Sequence, residues 1–156
     1  MQTTTRGAAG PARGAPATGL DIVVTGTSSD AHTWNLIYLE LLLTEWGHRV
    51  TNLGACAPDT LVATEALAHR PDLVVVSSVN GHGAADGLRL IARFRAEPRL
   101  AALPVVIGGK LGTAEATTRA WLPRLRTAGF AEVFEESAGA APFRRYLDTL
   151  TAGVCR

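Results

Sequence analysis

From Asp21 onward, short runs rich in β-branched residues alternate with longer stretches whose apolar positions recur every three or four residues. The short runs Asp21–Thr25, Arg49–Leu53, Asp72–Ser77, Leu103–Ile107 and Glu132–Phe134 predict strands. The amphipathic stretches predict helices near Thr33–Trp46, Pro58–His69, Ala84–Glu97, Ala114–Ala128 and Ala140–Leu150. Such alternation favours right-handed crossovers, hence a parallel sheet with helices on both faces. Leu73, Val74, Val75 and Val76 are apolar without a break, as a central strand buried on both sides requires. Gly54 closes the second strand and Pro58 opens the second helix, where proline is well tolerated. Gly47 and Gly129 follow the first and fourth helices, the usual place for a left-handed C-terminal cap. The expected class is therefore α/β: one doubly wound, parallel, five-stranded sheet in three layers, with the flavodoxin-like strand order. Ligands of such sheets bind beyond the carboxyl ends of the strands, where the strand order reverses.

The chain has 156 residues, 47% of them apolar, enough for one domain with a core that needs no metal or disulfide. Residues 1–20 are rich in Ala, Gly, Pro and Thr and contain no apolar run that could act as a signal peptide. They read as a disordered tail preceding a domain over residues 21–152. No later stretch is long and apolar enough to span a membrane, and no internal repeat is visible. The net charge of +1, with no basic stripe interleaved with aromatics, argues against nucleic acid as a partner. Cys56 and Cys155 have no metal-ligand spacing and read as a small core residue and a tail thiol, which fits a reducing, cytoplasmic setting.

Three of the expected strands run into loops of small or polar residues. These are Thr25-Gly26-Thr27-Ser28-Ser29-Asp30-Ala31-His32 after the first, Ser77-Ser78-Val79-Asn80-Gly81-His82-Gly83 after the third, and Gly108-Gly109-Lys110-Leu111-Gly112-Thr113 after the fourth. Three such loops on one edge suggest a large ligand, approached closely by backbone. Within them, Asp30 and His32 form the sharpest feature. A metal-ligating histidine usually gives its other ring N–H to a carboxylate, which fixes the tautomer. Equally, Asp30 can cap the following helix and His32 can be a polar first-turn residue.

Taken in order, Asp30-Ala31-His32-Thr33-Trp34-Asn35, Ser77-Ser78-Val79 and Gly108-Gly109 resemble the signature of the cobalamin-binding domains. That signature is Asp-x-His-x-x-Gly, then Ser-x-Leu, then Gly-Gly, each at a strand end of a Rossmann-like fold. The resemblance is closest to the small subunits of glutamate (methylaspartate) mutases and covers roughly Asp21 to Leu150. It implies adenosylcobalamin as cofactor, with His32 as the cobalt ligand that displaces the cofactor's dimethylbenzimidazole base and Asp30 holding the imidazole. The displaced nucleotide tail would run between the sheet and the first helix. There Ser77 would bond the base, Val79 would line the slot, and Gly108 and Gly109 would leave room. Ser29, Ala31, Thr33, Asn35, Ser78, Gly81, Lys110 and Leu111 complete the implied cofactor surface, and no catalytic residue is expected on this chain. The implied role is the cofactor subunit of an isomerase, inactive alone. It would join a larger catalytic subunit, as a heterotetramer, to rearrange glutamate to 3-methylaspartate.

The chain departs from that pattern at Asn35, which replaces a glycine on the helical stripe shared with Leu39, Leu42, Leu43 and Trp46. Its side chain is expected either to bond the tail or to narrow the slot. Val79, Asn80 and His82 also differ from the family residues, with His82 expected at the rim. His48 and His69 are expected to meet helix-terminal carbonyls, and Leu36, Ile37 and Leu41 lie off the core stripe as a possible partner surface. Competing readings are a corrinoid methyl carrier or a cobalamin sensor, both expected to carry an attached helical domain. A flavodoxin-like electron carrier is opposed by Asp30 next to Gly26-Thr27-Ser28-Ser29. A phosphoacceptor receiver would need an aspartate where Ser77 stands.

Overall fold

Residues 19–154 are described by the computed structural model, so most of the expected tail, and Cys155, lie outside the described residues. The order of elements is β1 (Asp21–Gly26), α1 (Trp34–Glu45), β2 (Arg49–Asn52), α2 (Asp59–His69), β3 (Leu73–Ser78), α3 (Gly83–Ala96), β4 (Val105–Gly109), α4 (Glu115–Ala128), β5 (Glu132–Glu135) and α5 (Ala141–Val154). A single 3-10 turn, Glu136–Ala138, precedes α5. Every expected strand and helix is present.

Helix α5 runs four residues beyond its expected end at Leu150, and β4 is displaced by two residues at both ends. Leu103 gives its N–H to Leu100 in a turn, and Pro104, which has no N–H, contributes only its carbonyl, to Val74 at 3.0 Å. Pairing therefore begins at Val74↔Val105 and runs on to Ser78↔Gly109, so Gly108 and Gly109 are strand residues and not loop. At the start of the domain, Leu20 is buried at 1% exposure and belongs to the core. Its N–H donates to His48 Nδ1 at 3.0 Å. The His48 ring is thus occupied by the residue before β1, while its backbone N–H meets the helix-terminal carbonyl of Leu43 at 3.0 Å, and burial lowers its pKa. His69 likewise faces Glu65, at 3.0 Å, one turn back on its own helix. Cys56 is exposed, not a core residue.

The sheet is wholly parallel in the order β2-β1-β3-β4-β5, so the direction of winding reverses between β1 and β3. Successive side chains of a strand point to opposite faces, and the core divides accordingly. Val23, Val74, Val76, Val105 and Ile107 pack under α2, α3 and α4, around Phe94 and Leu125. Ile22, Val24, Leu73, Val75 and Val106 pack under α1 and α5, around Leu43 and Phe143. All six residues of β3 are buried, as its unbroken apolar run requires. Phe143 stacks obliquely on Phe134 and Trp46, with centroids 5.2 and 6.2 Å away, and so fixes α5 beside α1. Leu36, expected off the core stripe, is buried at 1% exposure, whereas Ile37 and Leu41 are more than half exposed, together with Trp34 and Tyr38. No helix among the described residues is long and apolar enough to cross a membrane.

Candidate functional site

Beyond β1 the chain turns tightly, Asp30 giving its N–H to the Thr27 carbonyl at 3.1 Å. The turn drives the Asp30 side chain back into the protein, where it is 1% exposed. A buried carboxylate survives only if its oxygens are fully bonded, and here they are. Oδ1 accepts the backbone N–H of His32 at 3.0 Å and lies 2.6 Å from His32 Nδ1. Oδ2 accepts from Ser78 Oγ at 3.0 Å, from the Val79 N–H at 2.7 Å and from the Asn80 N–H at 3.2 Å. Burial by itself would raise the pKa of Asp30, but the N–H groups of His32 and Val79 and the side chains of His32 and Ser78 hold it at about 2.

This network excludes the helix-cap reading of Asp30. Asp30 does not cap α1, whose N-cap is Thr33 with no side-chain cap bond. It receives the imidazole. Nδ1–H donated to the carboxylate leaves Nε2 as a lone-pair donor on a half-exposed ring. No group of three or more His, Cys, Asp or Glu among the described residues could enclose a metal ion. One oriented imidazole suits a metal that arrives with its other ligands already in place.

Two residues outside the expected set of site residues hold the same loop. Asp86, 5% exposed in the first turn of α3, accepts from Ser29 Oγ at 2.5 Å, from the Ser29 N–H at 3.3 Å and from Arg89 at 2.8 Å. Burial would raise its pKa, yet the bonds from Ser29 and Arg89 lower it overall. Asn80, read from sequence as a residue of the mouth, gives Nδ2–H to the Ser29 carbonyl at 3.2 Å and to its Oγ at 3.1 Å. An acid in the first turn of the expected third helix was the available sign of Asp86.

Beside the pair, a groove of ≈ 270 Å³ opens between the sheet and α1, with α5 beyond. Its floor follows from register: Ser77 pairs with Gly108 and Gly108 with Phe134, two small residues ending in a ring. Trp34 and Tyr38 of α1 overhang it. The volume lies near the lower end of small-molecule sites, roughly 300 Å³, and the lining suits a flat apolar group. Asn35 lines this groove and gives Nδ2–H to Ser77 Oγ at 2.8 Å.

The structure sorts the expected site residues into groups. Asp30, His32 and Ser78 share one hydrogen-bonded node, tied through Asn80 to Ser29. Asn35, Ser77, Val79, Gly108 and Gly109 line the groove. Ala31, Thr33 and Lys110 are exposed, while Gly81 is buried. Ser78 and Leu111 are fully buried, Ser78 holding Asp30 and Leu111 packing in the core beneath α3 and α4, so their side chains serve the protein frame. Gly109 is required for a reason other than room in the groove. Its φ of +105° is left-handed, and a Cβ there would lie 2.2 Å from the Ser78 carbonyl oxygen. At Gly108 a Cβ would come 3.1 Å from the Phe134 carbonyl oxygen.

Comparison with known proteins places this geometry. The chain is 37% identical over 122 residues to the glutamate mutase sigma subunit of Halobacterium salinarum, covering 75% of this chain and 78% of that one. It is 29% identical over 114 residues to the glutamate mutase sigma subunit of Fusobacterium nucleatum, covering 73% and 83%. Among solved structures, a cobalamin-binding protein from Desulfitobacterium hafniense superposes with a TM-score of 0.57 at 19% identity, over 74% of this chain and 52% of that one. The receiver domain of a sensor histidine kinase from Pseudomonas aeruginosa, with magnesium in its active site cleft, superposes with a TM-score of 0.61 at 19% identity, over 86% and 98%. At those identities the solved structures share the fold alone, and the strand-end residues must discriminate. The model of the B12 binding domain matches residues 20–141, most of the chain and all of the strand ends just described. This chain belongs to the B12 binding domain family.

Proposed function

We propose that this protein is the cofactor subunit of a cytoplasmic, adenosylcobalamin-dependent carbon-skeleton mutase that rearranges glutamate to 3-methylaspartate. The observation that carries the reading is the Asp30–His32 pair, 2.6 Å apart and tied through the Val79 N–H to a groove lined by Ser77, Val79 and Gly108. Two relatives named glutamate mutase sigma subunit favour this reaction over methyl transfer or sensing.

Homolysis of a cobalt–carbon bond is the chemistry that adenosylcobalamin supplies when bound. The rest belongs to this chain. His32 offers Nε2 to cobalt, and Asp30 keeps the proton on Nδ1, so that the ligand is neutral and correctly aimed. The groove beneath α1 takes the displaced base and its nucleotide, Ser77 offering its hydroxyl to a ring nitrogen and Val79 and Gly108 forming apolar wall and floor. Trp34 and Tyr38 line the outer side of the groove and would lie against the tail. A larger catalytic subunit supplies the substrate site, in a heterotetramer, and the isolated chain is inactive. The exposed side chains of Trp34, Ile37, Tyr38 and Leu41 form an apolar strip on α1 beside the groove and support such a partner.

The test is titration of the apo-protein with adenosylcobalamin, followed by absorption, with EPR of the cob(II)alamin form. The wild type is expected to bind with the cofactor's own base off cobalt and a protein nitrogen on it. His32→Ala is expected to lose that nitrogen signature. Absence of binding at excess cofactor, or retention of the cofactor's own base on cobalt, would overturn the proposal.

A further inference from the structure

Helix α1 carries leucine, isoleucine or aromatic side chains on every side. Leu36 and Leu43 are buried beneath it, while Trp34, Ile37, Tyr38 and Leu41 point outward. Their spacing of i, i+3, i+4 and i+7 makes one continuous stripe over two turns. A helix with apolar residues all round is ordinarily a buried one, yet Ile37 is 53% and Leu41 66% exposed. Trp34 and Tyr38 line the groove, so a ligand there covers part of them; Ile37 and Leu41 lie outside that lining. Ile37 instead borders a shallow depression of ≈ 440 Å³ between α1 and the end of β2.

The charges around the stripe have one sign. Helix α1 holds Glu40 and Glu45 and no lysine or arginine. Glu135 and Glu136 stand on the far side of the groove. Among the described residues, none of these four glutamates belongs to an ion pair. Glu45 lies in the last turn of α1, where the helix's own partial negative charge disfavours an acid and no basic residue answers it. A cation brought from outside relieves that repulsion. The possible occupants then separate by chemistry. Residues 1–18 of this chain contain no Leu, Ile, Val, Phe, Tyr or Trp with which to fill an apolar stripe. A second copy paired through α1 sets glutamates against glutamates with no base on either helix, and like charges across an interface are costly. A different chain with an apolar ridge and a cationic rim meets both the stripe and its flanks.

We propose that the outer face of α1 docks an amphipathic helix of the partner subunit, whose apolar residues cover Ile37 and Leu41 and whose lysines or arginines face Glu40 and Glu45. The stripe has the i, i+3, i+4, i+7 anchors of helix-on-helix recognition. The proposal rests on the reading above that another subunit joins this chain, and it adds the surface and the chemistry of the contact.

The experiment titrates the full chain with two synthetic amphipathic helical peptides that share one leucine stripe, one flanked by lysines and the other by glutamates. Tryptophan emission, to which Trp34 contributes, reports binding. The lysine peptide is expected to bind at least about tenfold more tightly than the glutamate peptide, with an affinity that falls as salt rises. Ile37→Ser and Leu41→Ser change exposed side chains and leave the core untouched. Each is expected to weaken the lysine peptide about tenfold, and Glu45→Lys to remove most of its preference over the glutamate peptide. Base-off binding of adenosylcobalamin by the three variants is expected to match the wild type. Equal binding of the two peptides, no binding of the lysine peptide, or binding that Ile37→Ser and Leu41→Ser leave intact would overturn the proposal. So would a concentration-dependent dimer in sedimentation that Leu41→Ser abolishes, which would make a second copy the occupant. Each of these results leaves the cofactor reading standing when adenosylcobalamin still binds, whereas loss of cofactor binding by the wild type overturns that reading instead.

Discussion

Replacing Asp30 by asparagine tests the hydrogen-bonded node from which the site is built. The perturbation conserves shape but removes the charge, and it converts one acceptor oxygen into an NH₂ group. Whichever way the amide is turned, that NH₂ faces a donor. On one side stand the His32 N–H and Nδ1, and on the other the hydroxyl of Ser78 with the N–H groups of Val79 and Asn80. The charge term follows from linkage. A carboxyl whose pKa falls from 3.8 in the unfolded chain to about 2 in the folded one contributes about 2 kcal/mol at neutral pH. The donor left unpaired adds about 1 kcal/mol, for a total of about 3 kcal/mol. With a urea dependence of about 2 kcal/mol per molar, the midpoint should fall by about 1.5 M. The pH profile gives the sharper check. Because the folded pKa lies below the unfolded one, the carboxylate's contribution is complete above the unfolded value and is lost as pH falls through about 2. Urea midpoints of apo wild type and variant, read by far-ultraviolet dichroism, should differ by a constant amount from pH 7 to 5, and the gap should narrow between pH 4 and 2 toward about 1 kcal/mol, the worth of the unpaired donor. Other titrating carboxylates are common to both proteins and cancel in the difference. A gap below about 0.5 kcal/mol at pH 7, or one that does not shrink toward pH 2, would refute the reasoning.

Gly109→Ala should prevent folding or cost more than about 3 kcal/mol, since the new methyl group meets the Ser78 carbonyl at 2.2 Å on a backbone of φ +105°; near-wild-type denaturation would show that β4 has shifted to admit it. Asp86→Ala removes the acceptor of both Ser29 donors and of Arg89, and should cost about 1–3 kcal/mol. Amide hydrogen exchange should then accelerate across residues 27–32, and unchanged exchange there would mean that Asn80 and Asp30 hold the loop without Asp86.

The order of elements was legible because two periodicities, two and 3.6, alternate along the chain with glycine and proline at the joints. The end of β4 was not, because Gly108 and Gly109 look like loop in composition and are strand only through their register with Ser77 and Ser78. Leu36 was misplaced because a helical wheel drawn from Asn35 gives one stripe, whereas α1 also contacts β1 and β2 and buries a wider face. Asp30 and His32 were legible as a pair of alternatives. What sequence could not show is that Asp30 is held by bonds from Ser78, Val79 and Asn80, 48 to 50 residues away, to its second oxygen and does not cap α1. Asp86 was hidden for the same reason, its partner Ser29 lying 57 residues distant.

These long-range bonds explain how a common fold acquires an uncommon ligand. A histidine on a free loop would sample many rotamers and either ring tautomer, and binding a metal would then cost the order it lacked. Here the ordering is done during folding. Asp30 joins the loop after β1 to the loop after β3, the two neighbours between which the strand order reverses, so the aim of His32 is set by the sheet. The outer face of α1 takes no part in that framework, since Ile37 and Leu41 stand in solvent and make no bond to it. Ligand geometry and the apolar strip are therefore mechanically separate. The strip can change with whatever covers it while the imidazole stays in place, the groove meeting the strip only at Trp34 and Tyr38.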